Sequence, residues 1–369
     1  MATVFKTDAA NDAQPRDAHE IVQKLVSREY VFGVVGPVGS GTSEVAETLE
    51  RYLEAAEYDV VILKARDIIT AWSAVSGFSI PQAPKMDQTE ALQDAGDAYR
   101  LSQGTAAVAV GLIDKIRGNR ASSIGVGVKN GEAVLPDDKK RAYILDSLRN
   151  PAEVALLRRV YQQAFCLIGV ICDEDTRHKR LAVKYQDAGK AKIDVFMKRD
   201  EKAEEKHGQQ VSSTFHLADF FLENSVARFV KNPAGEDIPN PDWTVVDELG
   251  RLVDVLSHSK IVRPRPNETA MYHAYGARMR SACLSRQVGA ALLDQKGNLL
   301  ATGTNEVPRA GGGVYGGAFE DFSDQDPHPE SDHRCAVHGG YCRNTRSQNE
   351  IIKNLWKTLL SSELNLLLT

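Results

Sequence analysis

Apolar residues in the first two thirds of the chain fall into short unbroken runs separated by stretches of helical spacing. The runs at 30–35 (Tyr-Val-Phe-Gly-Val-Val), 60–63 (Val-Val-Ile-Leu), 141–146 (Arg-Ala-Tyr-Ile-Leu-Asp), 165–172 (Phe-Cys-Leu-Ile-Gly-Val-Ile-Cys) and 217–224 (Leu-Ala-Asp-Phe-Phe-Leu-Glu-Asn) have the length and the branched or aromatic content of strands. Residues 43–56 carry Val45, Leu49 and Leu53 on one helical face, and residues 244–258 are again amphipathic. A shorter helix is predicted over 20–28. Strands that alternate with helices predict an α/β fold with a parallel, doubly wound sheet.

The pattern changes after residue 260. Residues 232–242 are rich in Pro, Gly and Asn, and Arg263-Pro-Arg-Pro266 interrupts helical spacing, because proline lacks an amide donor and restricts its predecessor. The expected organisation is an N-terminal segment (1–28), an α/β domain (29–260) and a smaller α/β domain (261–369). In the last, 272–284 has helical spacing through Tyr275, Met279 and Cys283. Residues 287–293 and 298–303 read as paired strands around the turn Asp294-Gln-Lys-Gly297, and Gly303-Thr-Asn305 follows. Residues 349–360 form a basic amphipathic helix. No internal repeat is visible.

Composition narrows the function classes. The 369 residues are 42% hydrophobic and 26% charged with a net charge of −5. That balance suits a globular protein with a real core and argues against a strongly basic nucleic-acid binder. No run of about 18 apolar residues occurs, so no membrane span is predicted. The polar start lacks the apolar core of a secretory signal. Five cysteines in so long a chain make no disulfide framework. Cytoplasmic thiols or metal ligands are the expectation.

The sharpest motif follows the first strand. Gly36-Pro-Val-Gly39-Ser40-Gly41-Thr42-Ser43 leads from a strand into a helix, the context a phosphate-binding loop requires. Such loops work because successive amide N–H groups and a helix N-terminus face an anion. Ser43 stands where a magnesium-binding hydroxyl would sit. The lysine that reaches the outer phosphates is replaced by Thr42. ATP, GTP or a deoxynucleoside triphosphate with magnesium is the ligand class implied; a structural strand-to-helix turn is the alternative. Asp146 closes an apolar run, either as a Walker-B carboxylate for magnesium or as a plain strand end. Arg177 and Arg180 are offered to phosphates by 175–180 or lie on a solvated helix face. The charge run 198–207 is a solvated helix, or a lid bringing Lys198 and Arg199. Cys166 and Cys172 read as core. Residues 73–140 form a long insertion, with 122–131 expected as a loop or small hairpin over the cleft.

Residues 31–224 resemble the small P-loop nucleoside-phosphate kinases, the glycine loop being the specific part of the likeness. Arg280-Ser-x-Cys-x-Ser-Arg286-x-Val-Gly-Ala followed by Gly-Thr-Asn305 resembles the first half of a deoxycytidylate deaminase. That resemblance implies that Asn305 contacts the substrate and that Arg280, Ser281 and Arg286 serve its phosphate or sugar. A degenerate kinase-like domain ahead of this unit is similar to the bacterial anti-phage dCTP deaminases. The resemblance then implies zinc-dependent conversion of dCTP and dCMP to dUTP and dUMP during infection. It also implies deoxycytidine nucleotides as partners and a homo-oligomer; a regulatory RNA or protein is left unidentified.

Ser331-Asp-His-Arg-Cys-Ala-Val-His-Gly-Gly-Tyr-Cys342 has zinc-ligand chemistry in Cys335, His338 and Cys342, with His333 or Cys283 as the fourth ligand. Similarity to phage-type deoxycytidylate deaminases favours Cys283, in a structural zinc site. The alternative is reduced thiols in a folded loop. A catalytic zinc needs His-x-Glu and Pro-Cys-x-x-Cys. The second is absent, and the only His-x-Glu after the hairpin, His328-Pro-Glu330, lies in a Pro/Asp-rich stretch. The chain is therefore expected to stop short of its catalytic motif and to be inactive alone as a deaminase.

Overall fold

A computed structural model describes residues 28–127, 132–186, 188–201, 207–305, 335 and 340–367. Two compact units divide between Val262 and Arg263. In chain order the first contains β1 (Glu29–Val35), α1 (Thr42–Ala55), β2 (Asp59–Lys64), α2 (Ala65–Ser76), α3 (Lys85–Gln103), α4 (Ala107–Ile124), β3 (Arg141–Asp146), α5 (Pro151–Tyr161) and β4 (Phe165–Ile171). It continues with α6 (Glu174–Lys184), α7 (Lys190–Glu201), α8 (Val211–Phe215), β5 (Phe220–Glu223), β6 (Phe229–Lys231), β7 (Asp237–Pro239) and α9 (Val245–Ser257).

Five strands form one sheet in the order β2-β3-β1-β4-β5, every neighbour parallel. Side chains alternate across it as the pleat demands. Tyr30, Phe32, Val34, Ile144, Ile168 and Val170 pack with Leu49 and Leu53 of α1 and Leu249 of α9. Val31, Val35, Tyr143, Leu145 and Leu167 pack on the other face with Ile68 of α2, Leu112 of α4 and Leu157 of α5. Both faces are covered, so the sheet is doubly wound, and the central strands are apolar throughout because neither face meets water. Each such side chain contributes about 1.5–3 kcal/mol on burial.

The expected strands are present, with one shortened. Leu217 and Ala218 close a turn after α8, donating their amides to Thr214 and Phe215, so β5 begins only at Phe220. The insertion differs from the expectation. Apart from 77–84 and 104–106 it is helical through residue 124: α3 and α4 are two long helices, and residues 122–124 finish α4. Residues 128–131 lie outside the described residues. Helical spacing is blurred in α4 because Val108, Leu112 and Ile116 are buried while Ala and Gly fill other faces. One of those glycines is needed: a Cβ on Gly111 would meet Ile68 Cγ2 at 2.4 Å, so its absence lets α2 and α4 approach.

The second unit holds α10 (Pro266–Arg278), an antiparallel hairpin of β8 (Gly289–Leu293) and β9 (Leu299–Thr304), and α11 (Arg343–Leu367). The helix expected over 272–284 starts and stops earlier. Pro266 begins it instead of ending a preceding one, and Glu268 Oε2 accepts from the Arg265 amide at 2.7 Å. Its buried residues are Ala274 and Ala277, whereas Tyr275 and Met279 are exposed. Small residues are needed there because a Cβ on Gly289 would fall 1.9 Å from the Ala274 carbonyl oxygen. The turn after β8 is as expected, with Asp294 accepting from the amides of Lys296 and Asn298 at 2.8 Å. Helix α11 runs beyond the expected 349–360 in both directions. Among the described residues no helix is long and apolar enough to cross a membrane.

Candidate nucleotide-binding site

The glycine loop joins β1 to α1 at the carboxyl edge of the sheet, where open parallel sheets place their ligands. Its glycines are required by geometry. Gly39 and Gly41 have φ of 84° and 87°, the left-handed region that glycine enters without cost. A Cβ on Gly36 would lie 2.5 Å from Ser40 Oγ, and one on Gly41 would lie 2.4 Å from Asn224 Nδ2. Gly41 is also the N-cap of α1 and offers no side-chain acceptor to its first turn. Those amides are the groups an anion satisfies.

Ser43, in the first turn of α1, donates from Oγ to Asp146 Oδ2 at 2.7 Å. Asp146 ends β3, in register with Val34 of β1 and Lys64 of β2. Parallel pairing of three strands therefore brings the hydroxyl, the carboxylate and the loop to one edge. Two hard oxygen donors beside a phosphate cradle fit magnesium, which retains several waters and takes few protein ligands.

A cavity of about 420 Å³ opens beside the loop and is lined by Gly39, Gly41, Thr42, Ser43 and Asp146. Gly36 and Ser40 form the back of the turn, where Ser40 is fully buried. The predicted loop residues and Asp146 are thus gathered at one place. Thr42 stands where the lysine would be, and other cations line the cavity. Lys64 lies in no ion pair among the described residues. Arg180 Nη1 donates to the Ser40 carbonyl at 3.3 Å. Arg149 is paired with Asp200, and Arg100 with Glu153.

Asp200 of α7 is fully buried and holds the loop from the side, accepting from the Val38 amide at 2.7 Å. Burial pushes its carboxyl above the usual carboxylate range, against the opposing pull of Arg149 and that amide. Asn224, just past β5, donates to the Ser40 carbonyl at 2.9 Å and accepts from Trp243 Nε1 at 2.9 Å.

Three of the expected phosphate-binding cations are placed elsewhere. Arg177 is buried and pairs with Glu201 at 3.0 Å. Arg199 pairs with Asp94 at 2.5 Å and Asp97 at 3.4 Å on α3, so it fastens α7 to α3. Lys198 does not line the cavity. Cys166 is core, its thiol pushed up to about 12 by burial, while Cys172 is half-buried beside Arg180. Lys64, Arg149 and Asp200 were not singled out in the sequence, and Asn224 was read only as part of a polar strand end. Lys64 and Asn224 carried a faint signal, as polar residues closing apolar runs.

In the second unit Ser281 and Asn305 form one clip. Ser281 Oγ donates to the Asn305 side chain at 2.9 Å. The same Oδ1 accepts from the Val288 amide at 2.7 Å, and Asn305 Nδ2 donates to the Arg286 carbonyl at 2.5 Å. Asn305 thereby ties the end of β9 to the segment after α10. Arg280 and Arg286 are exposed. Of the expected zinc ligands, Cys283, Cys335 and Cys342 are partly buried free thiols. Hydrogen bonds from the Thr345 hydroxyl and amide hold the Cys342 thiol below its usual range. His333, His338 and the His328-Pro-Glu330 match lie outside the described residues. Among the described residues no cluster of three or more His, Cys, Asp or Glu side chains is placed to hold a metal ion, so the zinc expectation gains no ligand set here.

No protein-family model matches the chain, and no curated protein matches it. Solved structures to which the chain is similar include an APS kinase from Mycobacterium tuberculosis in complex with AMPPNP and APS, at 15% identity and a TM-score of 0.31, covering 62% of this chain and 98% of that one. A gluconokinase from Sinorhizobium meliloti 1021 is 12% identical with a TM-score of 0.32, covering 64% of this chain and 99% of that one. An uncharacterized protein from Eubacterium ventriosum is 12% identical with a TM-score of 0.30, covering 63% of this chain and 99% of that one.

Proposed function

We propose that the first unit binds a magnesium–nucleoside triphosphate at the loop of residues 36–43. The observation that carries this is the 2.7 Å hydrogen bond between Ser43 and Asp146 beneath a glycine loop that opens a helix. The loop amides and the α1 N-terminus would hold the phosphates; Ser43 and Asp146 would hold the ion directly or through its waters. Magnesium, when bound, would neutralise phosphate charge. With Thr42 in place of the lysine, binding or sensing is favoured over efficient phosphoryl transfer. The test is calorimetric titration with AMPPNP. Binding should be magnesium-dependent, and Ser43→Ala with Asp146→Asn should remove that dependence. Magnesium-independent binding, or none, refutes the proposal.

A finer reading takes the second unit as the opening half of a deoxycytidylate deaminase-type fold, in a protein that acts on dCTP and dCMP in antiviral defence. What supports it is a helix packed on a hairpin and closed by the Ser281–Asn305 clip, in the order the family resemblance implies. Since the 369 residues contain no Pro-Cys-x-x-Cys, no deamination step is assigned to them. Purified chain given zinc and dCTP should yield no dUTP. Turnover would overturn the assignment of inactivity.

A further inference from the structure

We infer that the first unit carries a second ligand site, a cup at the amino edge of the sheet that takes a small aromatic anion, a ring bearing a carboxylate or a phosphate. The cup forms where the starts of β1 and β3 meet the carboxyl ends of α1 and α9, and its volume of about 460 Å³ is within the range of small-ligand sites. The seven residues of β1 separate it from the glycine loop by roughly 20 Å, at ~3.3 Å per residue. It does not depend on that loop being a nucleotide site. Three tyrosine rings form its walls. Tyr30 and Tyr58 have centroids 6.0 Å apart and planes inclined at 47°. Tyr52 lies so close to Gly250 of α9 that a Cβ there would meet its ring at 2.8 Å, which fixes the ring in place. Val253 adds apolar surface. Fixed, inclined aromatic faces suit a ring as ligand.

The polar groups around these rings are mostly donors. The Tyr30 hydroxyl is engaged, donating to the Leu256 carbonyl at 2.8 Å. The hydroxyls of Tyr52 and Tyr58 have no hydrogen-bond partner among the described residues. Arg28 donates from Nη1 to the Asp138 carbonyl at 3.4 Å and lies in no ion pair among the described residues. Burial raises the Tyr58 hydroxyl above its ordinary range and the Arg28 charge opposes that rise, so guanidinium and hydroxyl act on one another across the cup. Lys140 donates to the Ala56 carbonyl at 3.2 Å, lies 3.6 Å from Glu57 and sits 5.6 Å from the centre of the Tyr58 ring. Lys260 pairs with Asp254 at 3.0 Å. Three cations thus face one lining carboxylate, Asp254, which also accepts from Ser259 Oγ at 2.6 Å. A cationic ligand would be repelled, and the hydroxyl hydrogens of a sugar would find few acceptors. An anionic head meets the uncommitted donors of Arg28 and Tyr58, a guanidinium being matched to carboxylate and phosphate alike. The rings take the flat body behind it.

The experiment is ligand-observed saturation-transfer NMR with calorimetry on the full chain, using benzoate and phenyl phosphate as probes, with and without saturating Mg·AMPPNP. At least one probe should bind, and Mg·AMPPNP should not displace it. It should bind at least tenfold more tightly than benzyl alcohol, which has the ring without the charge, and than acetate or inorganic phosphate, which have the charge without the ring. Arg28→Gln should weaken the probe at least tenfold and Tyr58→Phe about threefold, while AMPPNP affinity stays within twofold in both. Tyr58→Phe removes a hydroxyl that has no partner, so its urea midpoint should match the parent and its weaker binding cannot come from unfolding. The inference is overturned if neither probe binds at millimolar concentration, if the ring alone or the anion alone binds as well, if Arg28→Gln binds undiminished, or if Mg·AMPPNP displaces the probe. None of these outcomes touches the triphosphate site, whose failure shows separately as absent AMPPNP binding.

Discussion

Asn224 Nδ2 donates to the carbonyl oxygen of Ser40 at 2.9 Å, joining the end of the fifth strand to a loop 184 residues earlier. Asn224 is 0% exposed, and its own oxygen accepts from Trp243 Nε1. One amide thus supports the glycine loop and is itself oriented by an indole. Asn224→Ala leaves the Trp243 N–H without its acceptor and the Ser40 carbonyl with only the 3.3 Å hydrogen bond from Arg180, at a cost of about 1–3 kcal/mol in all. Urea unfolding should show that loss, and AMPPNP affinity should fall about tenfold, ~1.4 kcal/mol. Asn224→Asp should be worse for affinity, because it loses the donor and sets a carboxylate beside Glu44, 3.4 Å from the present amide. Equal affinity in all three proteins would dissociate Asn224 from the site.

Thr42→Lys restores the charge that the loop lacks. Thr42 begins α1 and lines the cavity, so a lysine stem has room to follow the phosphates. A point charge near a triphosphate in a half-buried cleft should contribute about 1 kcal/mol or more. AMPPNP should bind about fivefold tighter, a gain of ~1 kcal/mol. No gain would mean that Lys64 or Arg180 already supplies that charge.

The sheet was legible because its strands are buried on both faces, which leaves unbroken apolar runs such as 141–146. The loop was legible because it is contiguous and its glycines answer to local geometry. The rest of the cleft was not, for a physical reason. Lys64, Gln93, Arg149, Asp200 and Gln209 come from separate elements and meet only through the parallel order of the sheet and the packing of α3 and α7 on their neighbouring helices. Arg199 shows the converse. Its position in a charge run suggested phosphate binding, yet its partners are Asp94 and Asp97 on α3, which no local pattern discloses. In the second unit, Pro266 carried a boundary signal that fits a helix start as well as a helix end.

Arg100 and Glu153 form an ion pair at 2.9 Å with exposures of 3% and 0%. Glu153 also accepts from the amides of Arg149 and Asn150, so it fixes the start of α5. Removing the arginine strands a buried carboxylate. Arg100→Met should destabilise the first unit by about 3–5 kcal/mol in urea unfolding. The double change Arg100→Met with Glu153→Gln should recover part of this, because a neutral amide oxygen still caps the helix without an uncompensated charge. A single variant within about 1 kcal/mol of the parent would show the pair to be energetically idle.

Alkaline pH should unfold the protein through groups that burial keeps protonated. The Tyr143 hydroxyl is pushed up to about 12 by burial and then by the charge of Glu29, and it donates to Asn119 Oδ1 at 3.0 Å. Cys166 is pushed up to about 12, chiefly by burial. For a group raised in the folded state, stability is fully present below the unfolded pKa and is lost as pH rises towards the folded one. With unfolded values of about 8.5 for cysteine and about 10 for tyrosine, the loss should begin above about pH 8.5 and steepen above about pH 10. Urea midpoints measured from neutral to strongly alkaline pH should be flat and then fall. Cys166→Ala should delay the onset, and Tyr143→Phe should flatten the steeper part while lowering the neutral-pH midpoint, since Asn119 loses its donor. A curve that both substitutions leave unchanged would assign the alkaline transition to other groups.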